Sequence, residues 1–479
     1  MGESLISISM KKLLTIIFIL ITCDAVCQNQ FNTLVNRDYD VLPYDLVEYN
    51  SSYYVLSSIK NENTGQNCSL IYKLNINGIL VDSLVISSEE INYELQNIAV
   101  FNNNILLTGF TSAINEYNIC ILELSEELEI QQQFQYPYEF YYYTNCCTSI
   151  NGNNFMLAAG VQKSTLDMLF IKFNNQYEIE KDTIIDTSAG DIPFDIITNH
   201  DKVLISVQGE GLKRVEHQLW QLHDDFSISL VTDFNGILFS TIVFDNENRL
   251  LSCGEKYRLV NGETEDYIAN YRFEDGIGFT DSISIGIDFK RDHVSRRKSI
   301  AATDEHIFIL FSRNIDMGII DWFVPHEVKA CLYTLDYDFN IINETYLDDE
   351  ACYNTCNLKT TSDGGCIFLS SRYDYQAGIQ EKDIVVVKTD SNGIFTWTTE
   401  IPLPDLPNGI YPNPANEYIH IKDQFIPGTL QIFDMNGKQV REAEAKSAVD
   451  ISNLASGNYV YRIFDEKGMV SSVGKMVVE

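Results

Sequence analysis

Beyond residue 43 a unit of about 50 residues recurs seven times, and a repeat of that length restricts the chain to stacked or circular repeat folds. Short apolar strands begin at Tyr53, Ile105, Phe155, Val203, Leu250, Ile307 and Cys366. Most follow a polar or glycine pair such as Asn103-Asn104, Asn153-Asn154, Asn248-Arg249 or Gly364-Gly365, the chemistry of a tight hairpin. A second apolar strand keeps the same spacing. It ends at Leu74, Leu124, Phe173, Leu222, Phe273, Leu335 and Thr389, in steps of 50, 49, 49, 51, 62 and 54. Polar pairs follow, as in Asn77-Gly78, Asp275-Gly276 and Asn392-Gly393, and predict two-residue hairpins with positive φ. No copy carries a sustained 3.6-residue apolar period, which excludes helical solenoids, and about four short strands per unit read as a β-propeller blade. Seven copies predict a closed ring over 28–402, with Gln30 to Tyr44 as the segment that pairs with the last blade. A ring also accounts for 479 residues, well past the roughly 250–300 at which one core stops growing.

One strongly apolar run precedes the ring, Leu13 to Thr22, behind Lys11 and Lys12 and ahead of Asp24-Ala25-Val26-Cys27. These three parts make 1–27 a signal peptide, with Met10 as an alternative start, and predict export through the periplasm. Ten residues of helix rise only about 15 Å, half of the roughly 30 Å hydrocarbon core, so a permanent span is disfavoured. Nine of the 11 cysteines lie past Cys27, an odd number that leaves at least one thiol free or paired with another chain. Most sit in apolar strands, where cysteine acts as a small buried hydrophobe; Cys352 and Cys356, with Cys366 nearby, are candidates for one bridge. Lys plus Arg is 33 and Asp plus Glu is 68, a net charge of −35 that opposes binding to duplex nucleic acid and anionic membrane.

Pro402, Pro404 and Pro407 stiffen a segment unsuited to a sheet interior, and 403–408 reads as a linker. Short strands of another kind follow, such as Tyr418-Ile419-His420-Ile421 and Tyr459-Val460-Tyr461-Arg462-Ile463, and predict one small β-sandwich. Four phrases stand in order within 409–479: Tyr411-Pro412-Asn413-Pro414-Ala415-Asn416, Asp434-Met435-Asn436-Gly437-Lys438, Asp450 to Tyr459 with Leu454 and Gly457 inside it, and Lys475-Met476-Val477-Val478. Pro412 and Pro414 remove two backbone donors and hold their strand at an edge, while Gly437 and Gly457 suit turns. This tail resembles the C-terminal sorting domain of the type IX secretion system, in the type A form found in Bacteroidetes. The resemblance implies an immunoglobulin-like sandwich read by the outer-membrane translocon, with the ring as exported cargo that is released or fixed to the cell surface. Thr361-Ser362-Asp363-Gly364-Gly365 and Lys388 to Gly393 are similar to propeller repeats of exported Bacteroidetes proteins. The expected architecture is all-β, a seven-bladed β-propeller followed by a small immunoglobulin-like β-sandwich.

Ligand sites on a ring gather on its end loops and insertions. The longest insertion, between Phe311 and Val328, brings together Trp322, Phe323 and His326, a mixture that suits a pocket lining or plain edge cover. Tyr136 to Tyr143 holds six aromatics in eight residues, with Tyr136, Tyr138 and Tyr141 as candidate contacts to a glycan or protein, although half of any strand faces inward. The histidines show no metal spacing. Asp336-Tyr337-Asp338-Phe339-Asn340 begins like a calcium loop but lacks its later glycine and acid, and reads as a turn. No nucleophile elbow, phosphate loop or Cys-His pair is visible, so no catalytic residue, cofactor or metal is assigned. The expected function is a binding or surface-interaction scaffold carried out by the sorting tail. The alternative is a secreted glycosidase-like hydrolase using carboxylates on one ring face.

Overall fold

The computed structural model describes residues 30–35, 41–60, 65–113, 116–138, 141–162, 166–185, 191–199, 202–211, 214–233, 237–260, 263–274, 278–286, 291–314, 328–349, 351–376, 382–395, 409–422, 425–434, 439–464 and 470–478. Residues 1–27, expected as a signal peptide, residues 403–408, expected as a linker, and the expected Asp275-Gly276 turn lie outside them. The chain divides into two compact units, 1–398 and 399–479.

In the first unit the described strands form seven antiparallel sheets in chain order. Blade one spans Val41–Ile86, two Asn92–Pro137, three Tyr141–Ile185, four Asp191–Asp233, five Ile237–Ile285, six Asp292–Leu347 and seven Cys352–Lys388. The first strand of each blade lies against the first strand of the next, and Cys352–Thr360 of blade seven returns to Val41–Tyr49 of blade one. The sheets therefore close into a β-propeller. Blade seven borrows its fourth strand from the other end of the chain: Phe31–Val35 runs antiparallel to it, with Phe31 opposite Lys388 and Val35 opposite Ile384. The segment expected to close the circle thus divides, its first half completing blade seven and its second half opening blade one.

The second and third strands of each blade are the two periodic landmarks of the sequence. They are apolar on both faces because each face meets a neighbouring blade. Tyr54, Leu56 and Ile71 of blade one, for example, pack on Leu107, Cys120 and Leu122 of blade two. Fourth strands such as Leu80–Ile86 and Ile130–Pro137 are largely exposed.

The described turns that follow third strands share one form. Asn75 Oδ1 accepts the amides of Asn77 and Ile79, Asp336 Oδ1 those of Asp338 and Asn340, and Asp390 Oδ1 those of Asn392 and Ile394. Asp336 is accordingly a turn residue. These are not two-residue hairpins: Asn75 N–H reaches Ile79 O, a bulge follows between Lys73 and Leu74, and in the Asn-Gly pairs only Gly78 and Gly393 have positive φ. Leu128, Tyr177, Phe226 and Phe339 occupy the same left-handed position in other blades. That conformation costs about 1–2 kcal/mol. Each of those side chains is buried, Tyr177 against Phe101 and Phe155, and burial of that kind returns about 1.5–3 kcal/mol. At Gly78 a side chain would meet Phe31 at 2.4 Å, because the closing strand already fills that space.

The expected bridge among Cys352, Cys356 and Cys366 is absent. All three are buried thiols outside any disulfide, as are Cys68, Cys120, Cys253 and Cys331. They lie inside strands where their thiols act as packing atoms, and burial pushes Cys356 up to about 11 and Cys366 up to about 12.

The second unit is a sandwich. A sheet of Ile410–Tyr411, Tyr418–Ile421 and Val449–Asp450 faces one in which Gly428–Asp434 lies between Gln439–Ala445 and Gly457–Phe464, with Val470–Val478 outermost. Ile419, Ile421, Leu430, Ile432, Tyr461 and Ile463 form its core.

Candidate functional site

Each first strand of the ring is irregular at the same level. Its pairing with the second strand skips Tyr44 in blade one, Gln96 in blade two, Phe194 in blade four and Cys356 in blade seven, and two residues each in blades three and five. Blade six enlarges the interruption: Asp292–Val294 and Ile300–Ala302 both pair with Ile307–Arg313, and Ser295 to Ser299 arch out between them. A bulge bends its strand and re-aims the side chains beside it. Here it turns polar groups toward the neighbouring blades. Asp45 accepts the amide of Leu46 in its own strand at 2.8 Å and that of Ile98 in the next blade at 3.0 Å. Asp195 repeats this with Ile196 at 3.0 Å and Ile242 at 2.9 Å. Each carboxylate ties two blades together through charge-assisted hydrogen bonds. Asp45 also receives Asn357 Nδ2 at 3.0 Å and Lys359 Nζ at 2.6 Å.

The arch of blade six carries Arg296-Arg297-Lys298. Arg297 donates to Gln96 of blade two at 2.8 Å and lies over the Tyr44 ring of blade one at 5.0 Å, while Lys298 sits 3.2 Å from Asp195 of blade four. One loop reaches three other blades only at the axis of the ring. The arch is pinned from behind by the Arg296 amide on Thr355 O at 3.1 Å and the Arg297 amide on Cys356 O at 2.8 Å. A buried hydroxyl chain supports it, with Ser295 Oγ 3.0 Å from Thr355 Oγ1 and the Ser299 amide on Thr241 Oγ1 at 3.1 Å.

Beside the arch, where blades six, seven and one meet, a cavity of about 210 Å³ is lined by Leu42, Arg296, Asn354, Ser371, Tyr373 and Lys382. Cys352 completes the wall, and burial pushes its thiol up to about 11, so it is no nucleophile at neutral pH. A second cavity of about 330 Å³ lies between blades three and four, against Met156, Lys172, His223 and Phe226. The first cavity offers the Arg296 guanidinium, an amide and a hydroxyl in a chain that is acidic elsewhere, an arrangement suited to holding a small anion. The axial carboxylates Asp45 and Asp195 are each committed to two backbone amides.

The sequence candidates fall elsewhere. Trp322, Phe323 and His326 lie outside the described residues. Tyr136 donates to Tyr177 O and packs on Phe173 at 5.3 Å, and Tyr138 donates to Asp182 at 3.0 Å. Burial, then Asp182, raises the Tyr138 hydroxyl above its ordinary range. Both rings fasten blade two to blade three. Tyr141 begins the first strand of blade three, opposite Gln162. The arch was missed because Ser295-Arg296-Arg297-Lys298-Ser299 has the look of a solvated charge run; the 62-residue step across blades five and six comes mainly from the insertion between Phe311 and Val328 and does not mark the arch.

In the sandwich the first and last motif phrases meet. Asn413 Oδ1 accepts the amide of Val477 at 2.8 Å, and the Ala415 amide donates to Val477 O at 2.8 Å. Tyr411, Pro412, Asn413, Pro414 and Asn416 are exposed, and Tyr411 stacks on His420 at 5.3 Å. Leu454 packs on the core, while Gly457 opens the strand in which Tyr459 donates to Ala455 O at 2.7 Å. Asp434 and Lys475 lie on paired strands, opposite Tyr459 and Val460 respectively. Asn436, Gly437 and Lys438 are outside the described residues.

No curated protein matches the chain. Among solved structures it is similar to the β-propeller domain of the trilobed protease from Pyrococcus furiosus, at 10% identity and TM-score 0.44, over 76% of this chain and 100% of that one. It is also similar to an acylaminoacyl peptidase from Pyrococcus horikoshii, at 10% identity and TM-score 0.41, over 89% of this chain and 58% of that one. The WD40 domain of SCAP from fission yeast matches at 10% identity and TM-score 0.36, over 75% and 100%. Likeness at this level says nothing about what the ring binds or cuts. The tail is different: residues 409–479 match the secretion system C-terminal sorting domain, and the C-terminal sandwich is a member of that family.

Proposed function

We propose that the ring is a non-catalytic binding scaffold, delivered to the cell surface or beyond by a type IX translocon that reads the C-terminal sandwich. The observation that carries the reading is the family match at 409–479, on a sandwich with its own apolar core and a Tyr411 to Asn416 phrase exposed at every residue but Ala415. In this reading residues 1–27 direct the chain to the periplasm of a Bacteroidetes cell, and 403–408 link cargo to signal. A glycan or protein ligand on the ring fits a fold whose blades are tied into a rigid frame at the axis. The hydrolase alternative draws less support, since Asp45 and Asp195 each hold two backbone amides and are poorly placed to shuttle protons. Deleting 409–479 is expected to leave the ring folded and strand it in the periplasm. Cell fractionation that finds the truncated chain at the surface in normal amounts would overturn the sorting role.

A further inference from the structure

We infer that the cavity at the junction of blades six, seven and one binds a small hydroxylated anion of single-sugar size, gripped at its oxyanion by Arg296. The inference deepens the scaffold reading and rests on it. At about 210 Å³ the cavity falls below the roughly 300–1,000 Å³ of sites for drug-sized molecules, so its occupant is small. Its charge is the reverse of the chain's: the protein carries −35 overall, yet the described lining holds Arg296 and Lys382 and no carboxylate.

The three cations of the arch divide their work. Arg297 is spent on Gln96 and Tyr44, and Lys298 on Asp195. The Arg296 guanidinium has no hydrogen bond or ion pair among the described residues and is exposed at the cavity, while its backbone amide is fixed to Thr355. A guanidinium held by its backbone but with its fork of donors unused is prepared for bidentate contact with a carboxylate or phosphate. Asn354 and Ser371 supply polar groups for hydroxyls, and Leu42 and the buried Tyr373 form an apolar wall for the ring carbons. Polar groups on one side and an apolar wall on the other are what a sugar acid or sugar phosphate presents to a protein.

The test is calorimetric titration of the full chain with glucuronate, glucose 6-phosphate, glucose and inorganic phosphate at low and physiological salt. Binding of either sugar anion, no binding of glucose, and weakening with salt are expected. The better of the two anions identifies carboxylate or phosphate as the partner. Arg296→Ala should weaken binding by roughly 10–100-fold with an unchanged melting temperature, since that side chain makes no hydrogen bond or ion pair among the described residues. Equal binding of glucose, or anion binding untouched by Arg296→Ala, overturns the inference. So does the absence of any binding by the intact chain. A glycan and protein-partner screen on the intact chain separates the two levels. Capture without sugar-anion binding removes the pocket and leaves the scaffold, whereas neither capture nor anion binding removes both.

Discussion

The ring and the sandwich are both built of short antiparallel strands, yet they hold together by different means. In the ring, buried polar groups cross from blade to blade at the axis, as Asp45, Asp195 and the arch of blade six do. In the sandwich one apolar core lies between two sheets, and the distinguishing phrase Tyr411 to Asn416 is on the outside apart from Ala415. The ring is thus defined by what it buries. The tail keeps part of its motif in the packing, at Ala415, Leu454 and Tyr459, and holds Tyr411, Pro412, Pro414 and Asn416 outside it.

The largest break in that contrast should come from removing Gln30 to Val35. Blade seven then loses its fourth strand and Phe31 leaves the space at Gly78, so the ring should lose several kcal/mol while the sandwich is untouched, seen in calorimetry as one transition moving and the other staying. Next comes the buried pair Asp292–Arg313, at 3.0 Å and bonded through two guanidinium nitrogens. Arg313→Met removes the guanidinium contacts of a fully buried carboxylate and should cost about 3–5 kcal/mol in urea unfolding. Asp195→Ala leaves the amides of Ile196 and Ile242 without their acceptor and should cost about 2–3 kcal/mol; a loss below 0.5 would show that the axial ties are incidental.

Acid should act on the ring through His217, which is fully buried beside Phe194 and pushed down to about 3 by desolvation. The unfolded chain takes up this proton below about pH 6.5 and the folded ring only near pH 3, so the contribution is intact above pH 6.5 and is lost progressively on acidification between those values. By pH 5 the loss is about 2 kcal/mol, and His217→Gln should flatten that part of the stability profile. The smallest effect belongs to the sandwich. Asn413→Ala removes the bond to the Val477 amide and should lower the second transition by about 1 kcal/mol, leaving the ring unchanged.

The contrast also explains what could be read from the chain alone. Second and third strands such as Ile105 to Phe110 and Ile307 to Phe311 are apolar on both faces, so they announced the period and the number of blades. First strands did not show themselves, because a bulge breaks their alternation and Asp45, Asn97, Asp195 and Asn357 are polar where a core strand would be apolar. Pairings across the ring, such as Arg297 with Gln96, leave no local trace. Tyr136 and Tyr138 were legible as aromatics but not as fasteners, since their partners Tyr177 and Asp182 lie a blade away. The tail was legible because its phrases are short and local.

The clasp formed by Phe31–Val35 on Asp383–Lys388 sets a timetable for biogenesis. Nothing can fasten the circle until synthesis has passed Lys388, so a growing polypeptide is an open arc with raw sheet edges at both extremities.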